Sequence, residues 1–223
     1  MRENGIALTA AQMKRCDAHT IQKMGVPSMV LMERAALAVV DELLSGRDPV
    51  FDKTYVLCVC GAGNNGGDGA AVARLLSIAG LRAEILFVGA RDGTSAETAR
   101  QLKIAENYGV RLIENPAPPA MRDLLVNAGI TTIVDALFGI GLSRPVTGPH
   151  RDAILACNAS PAKRIAVDIP SGVSADTGEV LGVALRADKT VVLAFQKVGM
   201  TLAPGKSLAG RTVIRDIGIT RAE

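Results

Sequence analysis

Three loops in this chain carry the residue types that chemistry requires, and each follows a short run of apolar, mostly β-branched residues. The first follows Thr54 to Cys60 and reads Gly61-Ala62-Gly63-Asn64-Asn65-Gly66-Gly67-Asp68-Gly69. Gly61, Gly63 and Gly66 meet the G-x-G-x-x-G spacing of a phosphate-binding turn between a strand and a helix. Glycines in such a turn allow positive φ and close approach of a ligand. The helix that follows, expected over Ala70 to Ala79, offers unpaired N–H groups and a positive dipole end to a phosphate. The same spacing also describes a tight turn with no ligand. Asn64, Asn65 and Asp68 tip the reading, because turn geometry alone does not require three polar side chains there. A nucleotide is the first ligand to expect.

The second loop runs Asp135-Ala136-Leu137-Phe138-Gly139-Ile140-Gly141-Leu142-Ser143-Arg144-Pro145, and the third Asp168-Ile169-Pro170-Ser171-Gly172. Singly, each has a plain structural explanation. A strand-end Asp caps a turn, Arg144 is a solvated charge, and Ser171 between Pro and Gly is a turn residue. Together on one rim of one sheet they form a site, in which Arg144 is suited to a phosphate. His19 and His150 have no partner at metal-ligand spacing and read as surface or packing residues. Without G-x-S-x-G or a Cys–His signal, nucleophilic hydrolysis is disfavoured.

The elements that position these loops follow from periodicity. Thr9 with Gln12 resembles a capping box opening a helix of about ten residues, and Pro27-Ser28 introduces a second helix to about Leu44. After the glycine loop, strands are expected at 83–88, 111–113, 131–136 and 164–168, alternating with helices at 95–108, 120–127 and 149–157. Strands 180–185, 189–195 and 211–216 close the chain, with Pro204-Gly205 as a turn. Such alternation gives a parallel sheet covered on both faces, with ligand groups at the carboxyl ends of its strands. The expected organisation is one α/β domain over residues 1–223, with no linker or repeat.

Composition narrows the function classes. The 223 residues are 48% hydrophobic, enough for a large core without disulfides. Lys and Arg are dispersed, the net charge is +3, and there is no Trp with only four Phe and two Tyr, so nucleic-acid binding is disfavoured. Cys16, Cys58, Cys60 and Cys157 lack zinc spacing and read as buried, reduced thiols, with Cys58 and Cys60 on one face of a strand. The polar N-terminus lacks a signal-like apolar region, and Glu33 and Arg34 break the longest apolar stretch, Val26 to Val40. A cytoplasmic protein without membrane association is expected.

The chain departs from an ordinary dinucleotide fold in one respect. The acidic residue expected about 20 residues beyond the glycines, at the end of the second strand, is missing. Glu84 lies at that strand's start instead, and Arg91 beyond its end could suit a 2′-phosphate.

Along nearly its whole length the sequence resembles the NAD(P)H-hydrate epimerases, or YjeF N-terminal domains. The resemblance rests on Asp17, Ile21, Gly25-Val26-Pro27-Ser28 and Leu31-Met32-Glu33. It continues in the Gly63 to Gly69 loop, Asp135 to Gly139, Gly141 to Pro145, and Asp168 to Gly172. It implies a Rossmann-like three-layer α/β/α sandwich with a mostly parallel central sheet and two preceding N-terminal helices. The implied activity is interconversion of the R and S epimers of NADHX and NADPHX, the C6-hydrated forms of NADH and NADPH. The S form goes on to a partner dehydratase, which many bacterial relatives carry fused; this chain matches the epimerase alone. A homodimer is also implied.

By the same resemblance Asn64, Asn65, Gly66, Gly67, Asp68, Gly139, Ile140, Gly141, Leu142, Ser143, Arg144, Pro145 and Asp168 match substrate-binding positions. Asn65, Asp135 and Ser171 match the ligands of a potassium ion. Their amide, carboxylate and hydroxyl oxygens suit a hard monovalent cation, which would favour an ionised Asp135. Inverting C6 of a carbinolamine requires breaking C6–O or C6–N1 and remaking it on the other face. Either route needs a proton shuttle, for which Asp168 is the candidate. Two other readings remain: a nucleotide-binding or scaffold module without catalysis, as in relatives within an mRNA-decapping scaffold, and an ordinary NAD-dependent oxidoreductase. Intact Asp168 and the Asn-Asn-Gly-Gly-Asp run disfavour the first, and the missing second-strand acid disfavours the second.

Overall fold

A computed structural model describes residues 6–45 and 54–222. The order is β1 (Ala7–Leu8), α1 (Ala10–Gln22), α2 (Ser28–Leu44), β2 (Tyr55–Cys60), α3 (Asn64–Ile78), β3 (Arg82–Phe87), α4 (Ala96–Asn107), β4 (Arg111–Glu114) and α5 (Pro118–Asn127). It continues β5 (Thr132–Ala136), α6 (Gly148–Ala159), β6 (Lys163–Val167), β7 (Lys189–Leu193), β8 (Gln196–Lys197), α7 (Gly205–Leu208) and β9 (Arg211–Arg215). Seven strands make one sheet in the order β4-β3-β2-β5-β6-β7-β9, and every neighbouring pair is parallel. The chain winds outward from β2 through β3 to β4, then returns to β5 and winds the other way. The reversal therefore lies between β2 and β5, where open α/β sheets take up ligands.

Strand β2 is buried along its whole length, as a central parallel strand must be. Val56, Cys58 and Cys60 enter the core shared with α2, α3 and α4, whereas Tyr55, Leu57 and Val59 enter the core shared with α5 and α6. This alternation makes the three layers. All four cysteines are buried and free. No helix of the described residues is long and apolar enough to cross a membrane.

Helix α1 begins with the expected capping box. The Gln12 N–H donates to the Thr9 hydroxyl at 3.2 Å, and the Thr9 N–H donates to Oε1 of Gln12 at 2.8 Å. The helix after the glycine loop, however, starts at Asn64 rather than Ala70. Gly66, Gly67 and Gly69 therefore lie in its first two turns and Gly63 is its N-cap, and these glycines, with Gly61, all avoid positive φ. Their role is close approach. A Cβ on Gly66 would stand 1.8 Å from the Gly61 carbonyl oxygen, and one on Gly69 would stand 2.5 Å from Cβ of Ala136. Glycine's poor helix propensity hides this turn in the sequence, and contact with the sheet overrides it.

Two further differences concern the C-terminal third. Residues 180–185 form no sheet strand, only a bridge between Val173 and Val180. Their backbone bonds go to loops instead: Leu181 N to Gly172 O, Leu185 N to Ser171 O, and Leu181 O from Val146 N. Pro204-Gly205 opens the short helix α7 rather than a simple turn. Strands β1 and β8, two residues each, give no sequence signal and pair with one another in parallel.

Candidate functional site

A cavity of about 560 Å³ opens at the carboxyl ends of β2, β5 and β6. One wall is the start of α3, with N-cap Gly63 followed by Asn64, Asn65 and Asp68. Among the described residues no side chain caps this helix start, so its positive end is directed toward the cavity without a carboxylate or hydroxyl of theirs upon it. The loop from Leu137 to Arg144 supplies a second wall, Asp168 lies at a third, and Met13, Asp17 and Ile21 of α1 close the cavity over.

Beneath the wall lies a buried polar node built on Asp135, which is 1% exposed. Ser171 donates twice to it, through Oγ to Oδ1 at 2.6 Å and through its N–H to Oδ2 at 2.8 Å. The Leu137 N–H donates to Oδ1 at 3.4 Å. The Phe138 N–H donates to the Ser171 hydroxyl at 2.9 Å, and the Asn65 amide nitrogen donates to the Phe138 carbonyl at 3.0 Å. Three loops are thus tied by neutral donors around one carboxylate. Burial pushes Asp135 up to about 6, opposed by the Ser171 and Leu137 hydrogen bonds. A buried carboxylate whose donors among the described residues are all neutral, beside a carbonyl, a hydroxyl and an amide, is a donor set that fits a hard monovalent cation.

Asp168 is held differently. Its φ is 69°, and the Ile169 N–H donates to the Val167 carbonyl at 2.8 Å, so Asp168 is the central residue of a positive-φ γ-turn. That turn is rare and strained in an L-residue. Ala194 repeats it at the next strand end, with φ 60° and Phe195 N bonded to Leu193 O at 2.8 Å. The two turns face each other: the Leu193 N–H donates to Oδ1 of Asp168 at 2.9 Å. The Lys197 ammonium binds the same Oδ1 and also the Leu193 carbonyl, the latter at 3.0 Å. Lys197 is wholly buried.

Two more carboxylates share this environment. Asp17 is raised to about 6, first by burial, then by the negative charge of Asp168, against the attraction of Lys197. Asp68 is driven well above the usual carboxylate range by burial, then by Asp168 and Asp17. The β1–β8 pairing explains how α1 reaches here, since Leu8 is in register with Lys197 itself. The Asp176 carboxylate, which accepts from the Ala10 N–H at 2.6 Å, fixes the helix start.

Of the residues expected at the site, Asn64, Asn65, Asp68, Gly139, Ile140, Gly141, Leu142, Ser143, Arg144 and Asp168 border the cavity. Asp135 and Ser171 lie beneath it. Gly66, Gly67 and Pro145 are not on its lining; a Cβ on Gly67 would meet the Met32 side chain at 2.7 Å, so this glycine serves helix packing. Arg91 is ion-paired to Glu106 and Glu114, and Glu84 to Arg82 and Arg111, so neither is directed at a ribose or phosphate. His150 packs on the Phe138 ring at 5.0 Å. The sequence reading missed Lys197 and gave Asp17 no role. A signal for Asp17 was available: Met13, Asp17 and Ile21 fall at i, i+4 and i+8, which puts a carboxylate in an apolar stripe.

Comparison with known proteins agrees with this architecture. Residues 28–199 match the family described as YjeF-related protein N-terminus. A curated Levilactobacillus brevis protein named NAD(P)H-hydrate epimerase is 47% identical over 213 residues, covering 96% of this chain and 94% of that protein. A Limosilactobacillus reuteri protein of the same name is 50% identical over 212 residues, covering 95% of each. The crystal structure of yeast ynu0, YNL200c, superposes with a TM-score of 0.78 at 20% identity, covering 98% of this chain and 96% of that one, and so shares the fold. With a family match over most of its length and relatives about half identical from end to end, this chain belongs to the YjeF-related protein N-terminus family.

Proposed function

We propose that this protein is an NAD(P)H-hydrate epimerase, interconverting the R and S epimers of NADHX and NADPHX. The observation that carries the reading is a single cavity in which an uncapped helix start, the Gly139 to Arg144 loop and Asp168 converge, in a chain about half identical to proteins bearing that name. The start of α3 suits a phosphate of the nucleotide, through N–H groups and the helix dipole. Arg144, on the cavity wall, adds a guanidinium. Asp168, held by Leu193 and Lys197 on the cavity wall, is the carboxylate assigned to stabilise a cationic C6–N1 centre and to exchange a proton with the C6 oxygen.

A potassium ion bound by Asn65, Asp135 and Ser171 is part of this reading. When bound, it supplies positive charge that keeps Asp135 ionised and joins the three loops. The reading further includes a cytoplasmic location, a dehydratase that consumes the S epimer, and a homodimer formed through the N-terminal helices. For the dimer, exposed Met24, Val30 and Leu37 offer apolar surface. Sedimentation showing only a 23 kDa species at micromolar concentration would remove the dimer.

The test is direct. R-NADHX is incubated with the protein, and the approach to the epimer mixture is followed chromatographically after subtracting the spontaneous rate. Asp168→Asn should lower the catalysed rate by about 10²-fold or more. Because asparagine strands the Lys197 ammonium, Asp168→Asn/Lys197→Met serves as the folded control. A wild-type protein that adds nothing to the spontaneous rate removes the assignment.

A further inference from the structure

Asp168 alone is an awkward proton carrier. One of its oxygens is saturated by the Leu193 N–H and the Lys197 ammonium, and a strained turn fixes its backbone. Inversion at C6 has two halves, departure of oxygen from one face and its return on the other. One immobile carboxylate serves both faces poorly. Asp17 borders the same cavity from a different element, the helix that covers it, while Asp168 lies at the end of β6. No hydrogen bond from the described residues engages the Asp17 carboxylate.

We propose that Asp17 is a second catalytic residue, working as the proton-carrying partner of Asp168 in a two-carboxylate inversion. The proposal rests on the epimerase reading. In one direction, Asp17 as the acid gives its proton to the C6 hydroxyl. The C6–O bond breaks with its electron pair going to oxygen, water leaves, and the N1 lone pair forms the C6=N1 iminium beside the Asp168 carboxylate. A water then attacks C6 from the other face, the C6=N1 pair returns to N1, and the water's proton passes to the free oxygen of Asp168. The reverse epimerisation exchanges the two roles. One proton enters and one leaves, so the only reset is return of that proton from Asp168 to Asp17 through water.

The charges around the site favour this division. Facing Asp17 are Asp168 at the end of β6, Asp68 on α3 and Lys197 on β8; Lys14 on its own helix and Glu97 on α4 line the same cavity. Three carboxylates around one buried ammonium cannot all be ionised in a low-dielectric cavity, so the cluster keeps a proton near neutrality. The Lys197 ammonium is bonded to Asp168, and neither Asp17 nor Asp68 has such a partner among the described residues. Asp68 is driven well above the usual carboxylate range and Asp17 only to about 6, so Asp17 is the one of the two that gains and loses a proton near neutrality.

The experiment measures kcat for R-NADHX from pH 5 to 8.5, with the spontaneous rate subtracted at each pH, together with hydrate affinity and thermal stability. Asp17→Asn should lower kcat by about 10²-fold, leave affinity within about twofold, leave the melting temperature at pH 7 undiminished, and abolish the decline of kcat above about pH 6. Asp17→Glu, which keeps a carboxyl, should retain that decline at a reduced rate. Unchanged kcat in Asp17→Asn, or a loss confined to affinity, overturns the proposal. So does an Asp17→Glu protein that folds and turns over without the pH dependence. If wild type gives no rate above background, it is the epimerase reading that fails instead.

Discussion

The ammonium of Lys197, which has no solvent-exposed surface, is bonded to Oδ1 of Asp168, a residue 9% exposed in the turn that ends β6. Each charge is tolerable only because of the other. Breaking a buried pair by removing one partner costs about 3–5 kcal/mol, since the survivor keeps its desolvation penalty. Lys197→Met should therefore lower unfolding free energy by that amount in denaturant titrations. Lys197→Met/Asp168→Asn should recover much of the loss, because neither charge remains. A single variant as stable as the parent would show that the pair is solvated.

The glycine loop can be dissected by two substitutions three residues apart. Gly66→Ala puts a methyl 1.8 Å from the Gly61 carbonyl oxygen, backbone against backbone, and should cost more than about 2 kcal/mol. Gly63→Ala meets none of the described residues within 4 Å and, with φ −79°, should change stability by less than about 0.5 kcal/mol. Thermal melts of the two decide whether the glycines serve close approach. A bulky residue at Gly66 would damage the fold first and so cannot test ligand binding.

These glycines also mark where the sequence was legible. The strands of the sheet and the three loops at their ends followed from apolar runs ending in Gly, Asn and Asp, because a central parallel strand must be apolar throughout. The start of α3 did not follow, since glycine's propensity argues against helix and only contact with β2 and β5 reverses it. The assembly around Asp168 was half visible. Asp168 itself stands out at a strand end, but Lys197 reaches it through γ-turns at Asp168 and Ala194 and through a two-residue strand pair, none of which has a sequence pattern.

A cation at the Asp135 node should be measurable as stability. Anything that binds the native state alone stabilises it by RT ln(1 + [L]/Kd). Raising potassium at constant ionic strength should raise the melting temperature, whereas choline should not. Asp135→Asn should abolish the dependence, because the single carboxylate of the donor set is gone. Equal melting temperatures across potassium concentrations would remove the ion from this site.

Asp17 predicts a pH dependence of stability with a definite sign. Its folded value, about 6, lies above the unfolded value near 3.8, so the native state binds the proton more tightly. Its contribution is therefore most favourable below the unfolded value and is lost as pH rises toward 6. Asparagine does not titrate. Relative to the parent, Asp17→Asn should gain on the order of 1–2 kcal/mol between pH 4 and pH 7, allowing for the side chain's partial exposure. A constant difference across that range would mean that Asp17 is not shifted.

The uncapped start of α3 separates ligand binding from folding most cleanly at Asn64. This residue is the first of the helix, is exposed, and borders the cavity. A carboxylate in a first helical turn stabilises the helix by about 0.3–1 kcal/mol through the dipole. The same charge repels a phosphate seated on those N–H groups. Asn64→Asp should thus melt at or above the parental temperature yet bind NADHX at least about tenfold more weakly, a gap that widens at low ionic strength. Fold damage would lower both quantities together, whereas this variant should move them in opposite directions. Parental affinity in Asn64→Asp would mean that the nucleotide's phosphates lie elsewhere in the cavity, leaving Arg144 as the group to examine.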